Sequence, residues 1–130
     1  MKISIFLFAI TLMLGINSVF AQKQQELRIK QNAVSKIPAA KVKVKFLEVV
    51  EDSRCPKDVD CVWAGNAKVK FELSRKGKET KIVELNTGLG DRSAVYEGYE
   101  ITIMDLLPHR SSQPSAVASN YEAVLTFAKK

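Results

Sequence analysis

The chain has 130 residues, 46% of them hydrophobic and 26% charged, which is the balance of one folded domain and excludes a disordered polymer. Six Gly and four Pro exclude a collagen-like or linker sequence. One His and two Cys exclude a zinc finger or an iron–sulfur cluster built by this chain alone, and 20 Lys+Arg against 14 Asp+Glu leave a formal charge of +6.

Residues 1–21 have the three parts of a secretory leader. Lys2 is the positive start, an apolar run follows to Ile16, and Val19-Phe20-Ala21 places small residues where signal peptidase needs them. The run is shorter than a spanning helix requires and ends in Gly15, Asn17 and Ser18, so cleavage after Ala21 is expected rather than anchorage. The expectation is a single secreted or periplasmic β domain over residues 22–130, with no transmembrane segment after cleavage.

Residues 22–34 are balanced between helix by composition and strand by the spacing of Leu27 and Ile29. Residues 32–40, with Pro38, read as a loop. Residues 41–50 open in strict alternation, Val42, Val44 and Phe46 against Lys41, Lys43 and Lys45, which is a strand with one buried face. Leu47 and Val49 then fall on the lysine face, so a bulge shifts the phase or the second half is covered on both sides. Ala67, Val69, Phe71 and Leu73 alternate with Lys68, Lys70, Glu72 and Ser74, and a Gly77 turn pairs this strand with residues 79–85. Residues 86–98, with three glycines, read as a long loop. Tyr99, Ile101 and Ile103 mark the next strand, residues 110–119 a Ser-rich loop, and Tyr121, Ala123, Leu125 and Phe127 the last strand. About six half-buried strands and no convincing helix define an all-β fold, an antiparallel β-sandwich in preference to an open barrel.

The densest chemistry runs from Asp52 through Ser53, Arg54, Cys55 and Pro56 to Cys61, Val62, Trp63, Ala64 and Gly65. Two cysteines with five residues between them, in an exported chain, are expected to form a disulfide. A loop that short contributes about 2.4 kcal/mol in the chain-entropy account. The Cys-x-x-Cys redox pattern has a shorter spacing and sits at a helix N-terminus. Asp52 and Ser53 suit a turn, Asp52 can pair with Arg54, and Gly65 suits a positive φ. Trp63 is expected against the disulfide or over the end of the core. Two readings stay open for the loop: a scaffold element, or a contact surface made of Arg54, Pro56, Lys57, Asp58, Asp60 and Trp63.

This stretch resembles a pattern in small uncharacterised secreted bacterial proteins: Asp-Ser-Arg-Cys-Pro, four residues, then Cys-Val-Trp-Ala-Gly. The resemblance continues weakly through residues 99–108 and 121–127. It implies export, the disulfide and a β fold, and it transfers no catalytic residue.

Other chemistry is sparse. Asp52, Asp58 and Asp60 lack the spacing of a calcium loop and have Arg54 and Lys57 among them. His109 is the only histidine, no G-x-S-x-G motif is present to make Ser111 or Ser112 a nucleophile, and Gly88-Leu89-Gly90 is a lone G-x-G. No enzyme activity, metal or cofactor is expected. Lys41, Lys43 and Lys45 with Lys68 and Lys70 would form a basic stripe if their strands are neighbours, able to attract acidic glycans or anionic lipid. Nucleic acid is not expected, since no basic–aromatic motif is present. The leading expectation is an exported, non-catalytic binding module for a protein or an acidic glycan at the cell surface. The alternative is a secreted protease or hydrolase inhibitor that presents loop 55–61.

Overall fold

Alternation with a period of two writes most of the architecture. The computed structural model describes residues 25–112 and 120–130; the expected leader and most of the Ser-rich loop lie outside the described residues. Eight strands follow in order: β1 (Gln25–Lys30), β2 (Val34–Ile37), β3 (Val42–Asp52), β4 (Ala67–Ser74), β5 (Lys81–Asn86), β6 (Ser93–Tyr96), β7 (Tyr99–Leu107) and β8 (Glu122–Lys129). They form two antiparallel four-stranded sheets, ordered β1-β8-β7-β6 and β2-β3-β4-β5, that do not close into a barrel. The fold is a β-sandwich, and residues 25–30 are strand rather than helix.

The core lies between the two sheets. Val42, Val44, Phe46, Val69, Phe71, Leu73, Ile101, Ile103, Leu125 and Phe127 are all buried, as their alternation requires. Phe46 and Phe71 meet across β3 and β4 with ring centroids 5.5 Å apart and planes tilted by 57°. Each such side chain contributes about 1.5–3 kcal/mol on leaving water. The phase change after Phe46 is a bulge: the β3–β4 register shifts between Phe46 and Glu48, and again between Val49 and Glu51.

Two expected loops each contain a strand. Residues 32–40 hold β2, which pairs with β3 through Val34 opposite Lys45 and Ile37 opposite Val42. Residues 86–98 hold β6, which pairs with β7 from Ser93 opposite Thr102 to Tyr96 opposite Tyr99. Both are four-residue edge strands, too short to show a period, and a longer neighbour supplies their pairing. The β6–β7 turn is Glu97-Gly98, with φ of 47° and 79°. Positive φ at both central residues is the geometry a two-residue hairpin demands, and here Glu97 takes a conformation that glycine or asparagine usually fills.

The lysines also depart from the expected pattern. Lys41, Lys43 and Lys45 are exposed, but Lys68 and Lys70 are half-buried. The strands are neighbours, yet no continuous basic stripe results. Lys45 stands opposite Glu72, Lys70 opposite Glu48 and Lys68 opposite Glu51. No helix among the described residues is long and apolar enough to cross a membrane.

Glu97→Asn relieves the left-handed strain of the hairpin turn. It should raise stability by roughly 0.5–1 kcal/mol, read as a higher midpoint in urea with an unchanged slope.

Candidate functional site

β3 leaves the sheet at Asp52 and β4 re-enters it at Ala67, so residues 53–66 project from one end of the sandwich. The neck of this projection continues the ladder. Ser53 N–H donates to the Asn66 carbonyl at 2.8 Å, and Cys55 N–H to the Ala64 carbonyl at 2.8 Å. Gly65 makes the close approach of the two strands feasible: its φ is +77°, and a Cβ there would lie 2.1 Å from the Ser53 carbonyl oxygen. Cys55 and Cys61 stand at disulfide distance, with Cα atoms 5.9 Å apart.

A charged clamp holds the neck to the other sheet. Arg54 donates through Nε and Nη2 to the two Asp52 carboxylate oxygens, at 2.8 and 2.9 Å. The same guanidinium donates to the Leu106 carbonyl and, at 3.0 Å, to the Pro108 carbonyl, both at the far end of β7. Tyr121, at the start of β8, donates its hydroxyl proton to Asp52 Oδ2 at 2.9 Å. The Asp52 and Arg54 side chains are only 11% and 12% exposed, so this pair is no ordinary surface salt bridge. The segment after β7 adds further ties. Arg110 donates to the Arg54 carbonyl, Lys57 N–H donates to the Arg110 carbonyl, and Ser112 donates through both its N–H and its hydroxyl to Asp58.

The clamp shifts the proton equilibria of its members. Burial pushes the Asp52 carboxyl up, but hydrogen bonds from Arg54 and Tyr121 and the Arg54 charge outweigh it and hold Asp52 below the ordinary carboxylate range. Burial and the Asp52 carboxylate raise the Tyr121 phenol. Hydrogen bonds from Ser112 lower Asp58.

A second anchor lies beside the neck. The buried Asn66 amide donates to Asn86 Oδ1 at 2.9 Å and accepts from the N–H groups of Gly88 and Leu89. Gly88 lies against Gly65, where a Cβ would stand 2.4 Å from the Gly65 carbonyl oxygen. The lone Gly88-Leu89-Gly90 pattern is therefore a turn held by an asparagine. In the sequence, only their position flanking strand ends marks Asn66 and Asn86.

The candidate contact residues divide into two sets. Arg54 points into the fold and Pro56 is half-buried. Lys57, Asp58 and Asp60 are exposed. Trp63 does not cover the core: it is 53% exposed, together with Val59 and a fully exposed Val62. The two valines carry no sequence pattern that marks them, since an apolar residue in a loop reads equally well as packing. His109 Nε2 lies 2.8 Å from Asp105 Oδ2, whereas the Ser112 hydroxyl is engaged by Asp58, so histidine and serine are held by different acids. Among the described residues no group of three or more His, Cys, Asp or Glu side chains is placed to hold a metal.

No family model, curated protein or solved structure matches the chain.

Two measurements test the bracing. The depressed Asp52 value means its stabilisation is complete above the unfolded carboxylate pKa, about 3.9, and is lost as pH falls through the lower folded value. Thermal melts from pH 6 downward should therefore lose a component below about pH 4 that Asp52→Asn lacks at every pH. Reduction of the Cys55–Cys61 pair should lower stability by roughly 2 kcal/mol, and by less where the clamp keeps the reduced loop ordered; free-thiol titration confirms that the bond was present.

Proposed function

We propose that this chain is an exported, non-catalytic β-sandwich module that binds a partner protein through the loop closed by Cys55 and Cys61. The observation that carries the reading is the exposure of Val59, Val62 and Trp63 on a braced support. In the same motif, Asp52, Ser53, Arg54, Gly65 and Asn66 are occupied in holding the loop, which leaves Val59, Val62 and Trp63 facing outward beside the exposed Lys57, Asp58 and Asp60. Apolar groups displayed on a rigid loop lose little entropy on docking, and tryptophan is the residue most enriched among those that dominate binding energy. Lys57 and Asp60 at the rim supply charge that orients the encounter. The secretory leader pattern and the cysteine pair support a setting outside the cytosol.

The inhibitor reading has less support. Arg54 and Lys57 are the side chains a trypsin-like protease would take in its specificity pocket, and Arg54 is spent on the clamp. Lys57 remains exposed on the braced loop, but the chain there turns back, with Val59 N–H donating to the Pro56 carbonyl at 3.3 Å. Titration of a trypsin-like protease with the protein separates the two readings, since only an inhibitor reduces turnover.

The binding reading is tested with Val62→Ala/Trp63→Ala. Both sites are surface positions, so stability should change by about 0.5 kcal/mol at most. Affinity for a protein retained by the wild type from envelope extract, then measured on the purified pair, should fall at least about thirtyfold, the loss of a 2 kcal/mol hot spot. Equal retention by wild type and double variant would remove the loop from the binding role.

A further inference from the structure

The outer face of the β2-β3-β4-β5 sheet follows one charge rule and breaks it in one row. Lys45 faces Glu72, Glu48 faces Lys70, Glu51 faces Lys68, and Lys70 faces Glu84 on its other side. At the end of the sheet remote from the cysteine loop, Lys36 stands directly opposite Lys43, and Lys43 opposite Ser74. Like charges facing each other across strands are destabilising. Lys41 enters the same place from a left-handed backbone with φ of 54°, and Arg75 and Lys76 enter it from the turn after β4. With Ser74 these five cations line a shallow depression of about 530 Å³ that no carboxylate lines. None of the five makes an ion pair among the described residues.

We infer that this depression binds a compact polyanion carrying at least two phosphate groups, either as a free small molecule or as a lipid headgroup. The bound anion supplies the neutralisation that the sheet itself provides in every other row. Lysine ammonium groups are mobile point charges that follow phosphate oxygens over a range of positions, Arg75 offers a planar fork, and Ser74 a hydroxyl. The volume falls among those of small-molecule sites. The occupant is compact because the surface beyond is hostile to an extended one. A polymer lying along the sheet meets Glu72, then Glu48 and Glu84, then Glu51. No aromatic side chain lines the depression to stack a base, so nucleic acid is disfavoured. The site shares no residue with the loop at the other end, and either one stands if the other fails.

Calorimetric titration with inorganic pyrophosphate at low ionic strength is the direct test. Pyrophosphate should bind and raise the melting temperature. Lys36→Gln/Lys43→Gln should weaken binding about tenfold, whereas Lys45→Gln, which removes a lysine already faced by Glu72, should change it by less than about twofold. Lys36→Glu should raise the melting temperature of the ligand-free protein and abolish the pyrophosphate shift, because it restores the pairing rule. Vesicles of phosphatidylcholine doped with diacylglycerol pyrophosphate, whose headgroup carries two phosphates, separate the sources. Retention lost in the double variant assigns the site to a lipid headgroup, and pyrophosphate binding without vesicle retention assigns it to a free ligand. The inference is overturned if pyrophosphate does not bind at millimolar concentration, or if Lys45→Gln weakens it as much as the double variant. It is also overturned if a single-stranded oligonucleotide binds more tightly than pyrophosphate and loses affinity in Lys68→Gln.

Discussion

Asp52 and Arg54 form the interaction on which the loop end of the molecule depends. Two residues apart, at the end of β3 and just beyond it, they would amount to little as an exposed pair. Their setting changes the balance. The guanidinium spans two carboxylate oxygens on its own sheet and two backbone carbonyls at the end of β7, and Tyr121 completes the carboxylate. A single side chain thus joins the ends of both sheets. Removing one partner leaves a charge that has lost most of its water and its opposite charge, which is why such groups tolerate substitution poorly. The cysteine ring is built outward from this joint, and its rigidity has two sources: the covalent closure of a short loop, and the clamp at the base.

The two ends of the sandwich put charge to opposite uses. At the loop end, Asp52 and Arg54 are consumed internally, and Val59, Val62 and Trp63 are exposed among Lys57, Asp58 and Asp60. At the far end, like charges are gathered and left facing outward. Between them the outer sheet face is a lattice of alternating signs. That lattice depends on the β3 bulges. In an unbroken register with Phe46 opposite Phe71, Leu47 would face Lys70; the shifts put Glu48 and Glu51 opposite the lysines instead. A backbone irregularity therefore decides the electrostatics of a whole surface.

Much of the fold is legible in the chain. The alternation of Val42, Val44 and Phe46 with lysines, and of Ala67 to Leu73 with Lys68 to Ser74, marks β3 and β4 with the correct inner faces, because burial on one side of a pleated strand leaves no other pattern. Leu47 and Val49 announce the bulge by falling out of phase. The short strands β2 and β6 are not legible: four residues cannot display a period, and Glu97 is not a residue that advertises a hairpin turn. The site is half legible. The Asp52–Arg54 pairing follows from proximity, but its burial does not, since Leu106, Pro108 and Tyr121 come from more than fifty residues away. Trp63, expected against the disulfide or over the end of the core, is 53% exposed, and its placement depends on tertiary packing that no local pattern displays. The lysine stripe dissolves for the same kind of reason: which residues face each other is a property of register, and register is set by two strands together.

The order of strands in the β1-β8-β7-β6 sheet has a temporal consequence. β8, the last strand of the chain, lies between β1, the first, and β7. A chain delivered from its N-terminus can complete the β2-β3-β4-β5 meander from contiguous segments. β1 has no ladder partner until β8 has emerged, and Tyr121 reaches Asp52 only at that moment. β6 and β7 can pair beforehand as a contiguous hairpin, whereas the β1 and β7 ladders to β8 and the Tyr121 contact in the clamp wait for β8. Until then the molecule carries one finished sheet with an uncovered apolar face, a state in which a holding chaperone has a surface to grip and a protease has a loose strand to cut.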